Sequence, residues 1–239
     1  MVKEGVLRKR VKDWLEGLEI NANDLEIFIQ SLTHRSYARQ FDINSRGNEQ
    51  LEFLGDSILS FVITSYLYKN YGYFSEGKLA KIRSILIDKK TLVKIATGEI
   101  KINSYILLSE NEELSKGRYK ESILADSLEA FIGALYIDKG IDFTSKWILK
   151  IYKQKIDDKI ESDKISDYKT HLQELVQADY LKLIKYKVEK SKGPAHNKVF
   201  YSIAIMDNKV IGKGEGKSKK QSEQEAARNA LGTLYNLKL

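Results

Sequence analysis

The stretch GNEQLEFLGDSILSFVITSYLY, residues 47–68, contains no Lys or Arg, although 40 of the chain's 239 residues are basic. Its acids Glu49, Glu52 and Asp56 fall within an arc of about 60° when the stretch is drawn as a helix at about 100° per residue. The opposite side carries the apolar residues Leu51, Leu54, Ile58, Phe61 and Val62. The pattern predicts a helix with one side in the core and three carboxylates, without a local cation, on the other.

A second stretch, residues 121–138, has the same character and also lacks Lys and Arg. Asp126 and Glu129 lie one helical turn apart, and Gly133 follows them on the same face. The opposite stripe is apolar and consists of Leu124, Leu128, Phe131 and Leu135. A glycine on the acidic face allows another helix to approach closely, so we expect the two acidic faces to meet.

Four or five carboxylates between packed helices repel one another and lose solvation unless a cation neutralises them. Mg²⁺ is a suitable partner, because it binds a few carboxylate oxygens and keeps open positions for water and phosphate oxygens. Such a site can activate water and stabilise the departing oxygen in phosphodiester hydrolysis. The alternative is that these acids lie on solvated helix faces, as acidic residues usually do, and the spacing alone leaves both interpretations open.

Composition limits the class of protein further. The chain is 42% hydrophobic and 31% charged, and its length suits one or two globular domains. It has no Cys, which excludes disulfides, thiolate metal sites and a cysteine nucleophile. No apolar run approaches the roughly 18 residues of a membrane span, and the start lacks the apolar centre of a signal peptide. We therefore expect a soluble cytoplasmic protein with no membrane partner.

The net charge of +7 is concentrated at the C-terminal end of the chain. Residues 171–239 contain 13 basic and 7 acidic residues, whereas residues 1–170 contain 27 basic and 26 acidic residues. A basic part beside a neutral part is typical of a protein that binds a polyanion with one of them. A lysine-rich surface that only aids solubility is the alternative, and charge does not distinguish the two.

The apolar spacing divides the chain into three regions. Residues 1–152 show apolar residues three or four apart and predict an all-helical domain. Residues 153–166 are mostly charged and predict a linker or the frayed end of a helix. Residues 167–239 begin and end with helical patterns that enclose three alternating runs, which predicts the order α-β-β-β-α. The predicted fold class is therefore α+β and multidomain.

Residues 48–57, NEQLEFLGDS, resemble the signature of bacterial ribonuclease III, which typically reads N-E-R-L-E-F-L-G-D-[SA]. Further motifs extend the resemblance in the family's order, namely His34-Arg35-Ser36-Tyr37, Glu76-Gly77-Lys78-Leu79 with Arg83, and the segment from Ser122 to Ala134. The C-terminal region resembles a double-stranded RNA-binding domain in its Gly193-Pro194-Ala195-His196 and Gly216-Lys217-Ser218-Lys219-Lys220 motifs. The resemblance covers nearly the whole chain.

The resemblance implies a catalytic metal site. Its ligands and catalytic residues would be Glu52, Asp56, Asp126 and Glu129, which would bind Mg²⁺, with Mn²⁺ able to substitute. Glu49 and Glu76 would assist substrate or product handling nearby. The chain departs from the family pattern at Gln50, where Arg is usual, and at Asn111 and Lys116, where Gly is common. None of the departures is at a ligand position, so they bear on substrate preference.

Phe53 lies about 40° from Glu49 on the predicted helix, on its acidic side. An aromatic side chain there needs a surface to pack against. The resemblance implies that Phe53 fills a pocket on a second subunit and that the protein is a homodimer with one active centre per RNA strand. The alternative is that another helix of the same chain covers Phe53.

The C-terminal domain would bind duplex RNA through its shallow minor groove and its phosphates, because the major groove of A-form RNA is too narrow for side chains. Gln173 and Glu174 suit 2′-hydroxyls and base edges, and the turn that contains His196 can enter a second minor groove. Lys217, Lys219 and Lys220 precede or open the last predicted helix, where phosphate binds favourably. Without the resemblance, Gln173 and Glu174 would be read as ordinary solvated helix residues. For the lysines the alternative is a general solubilising cluster, but their position at a helix N-terminus favours phosphate binding.

Together these features predict an enzyme that uses Mg²⁺ to hydrolyse phosphodiester bonds inside double-stranded RNA. The resemblance implies products with 5′-phosphate, 3′-hydroxyl and short 3′ overhangs, from ribosomal RNA precursors and structured messenger RNA. Two alternatives are a catalytically silent duplex-RNA-binding regulator with the same fold and a helical phosphohydrolase that acts on nucleotides. The complete set of carboxylates argues against the first, and the basic C-terminal region argues against the second.

Overall fold

The computed structural model describes residues 4–41, 47–72, 74–194 and 198–235, apart from the side chains of residues 162–167. By its contacts the chain divides into two units, Met1–Tyr71 with Leu79–Lys155 and Gly72–Lys78 with Ile156–Leu239. The first seven helices are α1 (Glu4–Gly17), α2 (Leu25–Leu32), α3 (Arg35–Gln40), α4 (Glu49–Asn70), α5 (Glu76–Leu86), α6 (Lys89–Lys94) and α7 (Glu110–Leu114).

The long helix α8 (Glu121–Tyr180) is interrupted at Gly140, whose φ of 74° and ψ of 176° are not helical. Phe131 and Trp147 are 16 positions apart, which in a straight helix would separate them by about 24 Å. Their ring centroids are only 5.4 Å apart. The chain therefore folds back at Gly140, and the arm of α8 after Gly140 packs against the arm before it.

Helices α4 and α8 cross in closest contact at two glycines. A Cβ added at Gly55 would overlap the carbonyl oxygen of Glu129 and lie 2.9 Å from the amide nitrogen of Gly133. A Cβ at Gly133 would overlap the carbonyl oxygen of Leu51 and lie 3.3 Å from the amide nitrogen of Gly55. The two backbones are therefore too close for any side chain to lie between them.

This crossing changes which face of α4 is buried. The predicted core face was partly wrong, because Phe61 is 59% exposed and Leu54 and Ile58 are only half-buried. The residues that α4 buries are Leu51, Gly55, Leu59, Val62, Ile63 and Leu67. The reason is that α8 packs against α4 at Gly55. A glycine has no apolar side chain, so the apolar pattern does not mark it as buried. The buried face of α4 is therefore centred closer to the acidic residues than predicted. On α8 the predicted stripe is buried throughout.

The second unit contains strands β1 (Lys185–Lys192), β2 (Val199–Met206) and β3 (Lys209–Gly216), followed by helix α9 (Lys219–Tyr235). The strands form one antiparallel sheet in the order β1-β2-β3. Asp207 and Asn208 connect β2 to β3 with φ values of 50° and 62°, as a tight hairpin turn requires. The predicted fold class, an all-helical first part followed by α-β-β-β-α, is confirmed.

One side of this sheet packs against helices. The core of the unit includes Leu172 and Val176 from the end of α8, Ala204 from the sheet, and Ala226 and Leu231 from α9. The small residues of β3 and α9 let the sheet and the helix approach closely. Tyr186 packs on this core, whereas its neighbours Lys185 and Lys187 are exposed on the opposite face of β1.

The charged segment 153–166, predicted as a linker, is helical and belongs to α8. Two of its apolar residues, Ile156 and Ile160, are four positions apart and are buried. Alternating acids and bases at helical spacing also favour a helix. The domain limits of 1–152 and 167–239 stay a prediction.

The glycine crossing leads to a test of the fold. We expect Gly55→Ala to destabilise the protein by at least the roughly 1–3 kcal/mol typical of overpacking, because the new methyl meets backbone that cannot rotate away. Gly5→Ala is the control, since a Cβ at Gly5 in α1 meets nothing within 4 Å. Urea unfolding of both variants measures the effect. Equal stability of Gly55→Ala and wild type would contradict the close crossing.

Candidate active site

Three carboxylates from α4 and α8 meet beside the glycine crossing. One ligand oxygen from each of Glu52, Asp126 and Glu129 lies within 4.8 Å of the other two. Glu52 precedes Gly55 by one turn, and the carbonyl oxygen of Glu129 is the backbone atom that faces Gly55. The close approach of the two backbones is therefore what brings side chains from two separate helices into one cluster.

The cluster is electrostatically unfavourable without a cation. Burial raises the pKa of Glu129 to about 7, and the charges of Asp56, Asp126 and Glu52 add to this increase. Burial also raises the pKa of Glu52 and that of Asp126. A cation bound among these oxygens would offset both the lost solvation and the mutual repulsion. All the donors are hard carboxylate oxygens, which suits a divalent cation of the Mg²⁺ or Mn²⁺ type.

Asp56 and Lys89 complete the charged surroundings of the cluster. Asp56 is exposed and lies outside the group of three, but its charge is the strongest electrostatic contribution that raises the pKa of Glu129. The Lys89 ammonium opposes that increase. Sequence reasoning missed Lys89, because only the tertiary packing of α6 brings it near acids some forty positions away.

A cavity of about 550 Å³ opens beside the cluster. Its wall includes the acids Glu49, Glu52 and Asp126. It also includes the cations Arg35, Arg39 and Lys120, of which Arg35 lies 3.4 Å from Glu49. The cavity therefore offers carboxylates for a metal ion next to guanidinium and ammonium groups for phosphate. The three cations were not predicted as site residues. Arg35 lies in the His34–Tyr37 motif, which could have indicated it, whereas no local pattern separates Arg39 and Lys120 from other surface bases.

His34 supports this wall as a structural group. Its Nδ1 accepts a hydrogen bond from the backbone amide of Ser36 at 3.2 Å and so caps α3. Its own backbone amide donates to the carbonyl of Leu107, which ties α3 to the segment before α7. Burial lowers the pKa of His34. A neutral ring is consistent with its role as hydrogen-bond acceptor at the start of α3.

Asn111 and Lys116, which depart from the family pattern, lie in α7 and just after it. Lys116 has a φ of 58°, a left-handed conformation in which glycine is the residue of least strain. Asn111 lies inside α7, where no glycine is needed. Lys120, at the end of the same loop, forms an ion pair with Glu112. Lys116 therefore adds local strain, while the loop still contributes Glu112 and Lys120 to the cavity wall.

Both parts of the chain match known protein families. Residues 24–156 match the family described as Ribonuclease-III-like, and residues 168–234 match the double-stranded RNA binding motif. The chain belongs to the ribonuclease III family. The helical unit is thus a ribonuclease III nuclease domain, and the enzyme is an endoribonuclease that acts on double-stranded RNA. The resemblance inferred from the sequence motifs is confirmed.

Individual relatives agree with this assignment. The chain is 42% identical over 227 residues to "Ribonuclease 3" of Clostridium beijerinckii. The aligned residues make up 95% of this chain and 97% of that relative. It is 40% identical over 232 residues to "Ribonuclease 3" of Borreliella afzelii, covering 97% and 94%. Among solved structures, a nuclease domain of ribonuclease III from Campylobacter jejuni is similar with a TM-score of 0.56 and 35% identity, covering 60% of this chain and 96% of that domain.

Two predicted site residues, Glu76 and Phe53, are not members of the carboxylate cluster found among the described residues. Glu76 is the exposed first residue of α5, and it is not among the residues that line the cavity. Phe53 is 78% exposed on α4. In the described part of this unit no helix covers Phe53, so the structure does not support the alternative that its own chain buries it.

The predicted RNA-binding residues have different surroundings. Glu174, Lys217, Lys219 and Lys220 are exposed, and Ser218 caps the start of α9 by accepting a hydrogen bond from the amide of Gln221 at 3.1 Å. His196 lies outside the described residues.

Gln173 is engaged inside its own domain. Its amide donates to the carbonyl of Lys182 at 3.1 Å, and its side-chain oxygen accepts from the amide of Ile184 at 3.0 Å. These bonds connect α8 to the approach of β1, and the contact of Gln173 with RNA stays a prediction. Across the described residues no helix is long and apolar enough to span a membrane.

The raised pKa of Glu129 predicts a pH-dependent stability. Because about 7 lies above the ordinary value of 4.5, the folded protein binds this proton more tightly than the unfolded chain does. The resulting stabilisation is complete below about pH 4.5 and is lost as pH rises through about 7. We expect metal-free wild type to lose free energy of unfolding over this range relative to Glu129→Gln. Urea unfolding in a chelator measures the difference.

The control for this prediction is Glu121→Gln, which removes an exposed carboxylate from the same helix. Its unfolding free energy should follow that of wild type at each pH. If wild type and Glu129→Gln changed in parallel across the range, the burial of Glu129 would not perturb its ionisation.

Proposed function

We propose that this ribonuclease III hydrolyses its substrate with Mg²⁺, which Mn²⁺ can replace, and leaves 5′-phosphate and 3′-hydroxyl ends with short 3′ overhangs. The proposed substrates are ribosomal RNA precursors and structured messenger RNA. The observation that carries the proposal is the meeting of Glu52, Asp126 and Glu129 oxygens within 4.8 Å of one another. The predicted cytoplasmic location accords with these substrates and stays a prediction.

The proposed ligand set is Glu52, Asp56, Asp126 and Glu129. When a divalent ion is bound there, it supplies an activated water and neutralises charge on the reacting phosphate. The protein's own part is to hold the carboxylates in a half-buried cluster, where the positive charges of Lys89 and Arg35 only partly oppose the increase in their pKa values. Asp56, which is exposed on α4, can turn toward the same ion from the solvent side.

The neighbouring cations orient the RNA. Arg35, Arg39 and Lys120 line the cavity next to the carboxylates and provide donors for non-bridging phosphate oxygens. Glu49 pairs with Arg35, so it can set the position of that guanidinium as well as contact substrate. Glu76 assists from the start of α5 in this proposal. These groups position a phosphodiester beside the cluster before any bond is broken.

We also propose that the enzyme is a homodimer joined through α4. Phe53, Phe61 and Tyr68 are 78%, 59% and 74% exposed, which is an unusual concentration of large apolar groups on one helix of a folded domain. Phe53 is the proposed anchor of the interface. The description of the Campylobacter jejuni structure concerns flexibility in a region involved in dimer formation of that protein. A two-fold axis would place one cluster on each strand of a duplex.

We propose that duplex RNA binds to an exposed surface that includes Glu174 and the lysines at the start of α9, namely Lys217, Lys219 and Lys220. Backbone amides at a helix N-terminus and nearby lysines both favour phosphate. Gln173, whose amide already supports the domain, would add contacts through its remaining hydrogen-bonding capacity. His196 would enter the adjacent minor groove. No observation favours the silent regulator or the nucleotide hydrolase, and the curated relatives are ribonucleases.

Asp56→Asn tests the metal site, because it removes one ligand charge with little change in shape. We expect cleavage of a labelled duplex to fall by at least about a hundredfold, since a metal ion contributes several kcal/mol to the reaction. Binding of the duplex should persist. Asp142→Asn, an exposed aspartate elsewhere on α8, is the control. Near-wild-type cleavage by Asp56→Asn at low Mg²⁺ would remove Asp56 from the ligand set.

The α9 lysines are tested by Lys219→Ala combined with Lys220→Ala. Each phosphate contact contributes up to about 0.9 to the slope of log affinity against log salt, so the slope should become shallower by up to about 1.8. All duplexes should be affected alike. Lys185→Ala with Lys187→Ala is the matched control, because it removes the same charge from the opposite face of the sheet. Equal slopes for the two double variants would show that the α9 lysines contribute no more to phosphate binding than lysines elsewhere on the domain.

Phe53→Ala tests the dimer. If Phe53 is buried in a partner, its truncation costs about 3 to 5 kcal/mol at each of two symmetry-related places. The variant should dissociate and cut long duplex poorly although all four proposed ligands are intact. Sedimentation across concentration, with circular dichroism to confirm the helices, measures this. Leu114→Ala removes an 84% exposed apolar side chain from α7 and is the control. An equally stable dimer for Phe53→Ala would exclude Phe53 as the anchor.

A further inference from the structure

The wall loop, residues 110–120, consists of α7 and the turn that leads from it to α8. Two of its residues, Glu112 and Lys120, line the cavity beside the carboxylates. The Lys120 ammonium donates to the Glu112 carboxylate and, at 3.1 Å, to the hydroxyl of Ser115. Contacts within the loop therefore present Lys120 to the cavity, and its position depends on how the chain returns from α7 to α8.

This return is sharp, and it strains the backbone. Lys116 has a φ of 58°, a left-handed conformation that costs free energy for a residue with a side chain. The next residue, Gly117, is so close to α7 that an added Cβ would lie 2.8 Å from the carbonyl oxygen of Glu112. Strained backbone persists only where surrounding contacts hold it. The wall loop therefore needs a brace.

Arg118 provides that brace. Its Nε and Nη2 donate to the two carboxylate oxygens of Glu113 at 2.8 and 2.9 Å. Its Nη1 donates to the carbonyl oxygen of Asn103, in the segment before α7, at 2.6 Å. A planar guanidinium makes this two-pronged contact, which a Lys ammonium cannot reproduce. Arg118 thus ties the turn both to α7 and to the segment that precedes it.

The brace and the cavity are separate parts of the loop. Arg118 and Glu113 are not among the residues that line the cavity, whereas Lys120, two positions after Arg118, is. The Arg118 side chain is only 24% exposed, so water competes little for its hydrogen bonds. An effect of Arg118 on RNA must therefore pass through the residues that the loop presents.

We propose that Arg118, held by Glu113, is a positioning residue for substrate binding that keeps the Lys120 ammonium at the cavity, where it meets an RNA phosphate. Arg118 itself touches neither the RNA nor the reacting atoms. The inference rests on the proposed function, in which Lys120 donates to phosphate oxygens, and it adds the pair that makes this donation possible.

Glu113→Gln tests the inference because charge and positioning predict opposite results. Removal of an acid near the cavity would by charge alone favour a polyanion. We expect instead that kcat/KM for a short labelled duplex falls about tenfold, as loss of a charge-assisted hydrogen bond to phosphate would produce. The slope of log kcat/KM against log salt should become shallower by up to about 0.9, because one phosphate contact is lost.

Glu110→Gln is the matched control, since it removes the same charge from the exposed first residue of α7. Its kcat/KM should equal or exceed that of wild type, with an unchanged slope. Arg118→Lys is a second variant, which keeps the positive charge without the two-pronged contact. It should show the same loss and the same shallower slope as Glu113→Gln.

The salt slope separates a displaced Lys120 from a smaller amount of folded enzyme, because a lower folded fraction reduces kcat/KM equally at every salt concentration. A wild-type kcat/KM for Glu113→Gln would overturn the inference. So would a reduced kcat/KM that keeps the wild-type slope in both Glu113→Gln and Arg118→Lys, since the pair would then support only the fold.

Lys120→Ala separates failure of this inference from failure of the proposed function. If Lys120→Ala cleaves as wild type does at every salt concentration, Lys120 does not bind phosphate and both proposals for this loop fall. If Lys120→Ala is impaired and Glu113→Gln is not, only the role of the Arg118 pair is wrong. Impairment of both, with no further loss when they are combined, supports both, whereas additive losses would show that Arg118 does not act through Lys120.

Discussion

The crossing of α4 and α8 at Gly55 and Gly133 is the constraint on which the rest of the nuclease domain depends. Because neither helix has a side chain at the crossing, backbone meets backbone, and the first turn of α4 lies against the acidic turn of α8. This approach brings Glu52 to Asp126 and Glu129. A larger residue at either glycine would separate the helices and the carboxylates together, so packing and the candidate site share one determinant.

The same crossing creates an electrostatic cost. Half-buried carboxylates that face one another hold more protons than free ones do, as the pKa of about 7 for Glu129 indicates. A fold that keeps such a cluster is stabilised by whatever cation binds it, and binding free energy then adds to folding free energy.

Much of the fold was predictable because its patterns are local. The alternation of strands β1–β3 and the Asp207-Asn208 turn depend on neighbours in sequence, and they indicated the α-β-β-β-α order correctly. The buried face of α4 was not predictable in the same way. Phe61 was expected in the core and is exposed, because a glycine contact outweighs an apolar side chain when two backbones can touch. The helical state of residues 153–166 likewise depends on burial of Ile156 and Ile160.

By itself, the sequence determined the family and which acids face the same side of their helices, since motif and helical periodicity are properties of short segments. It did not reveal the spacing of Glu52, Asp126 and Glu129 or the presence of Lys89. Only the tertiary structure decided these. Coulombic interaction and desolvation depend on distance and burial, and here both arise between residues that are up to about 80 positions apart in the chain.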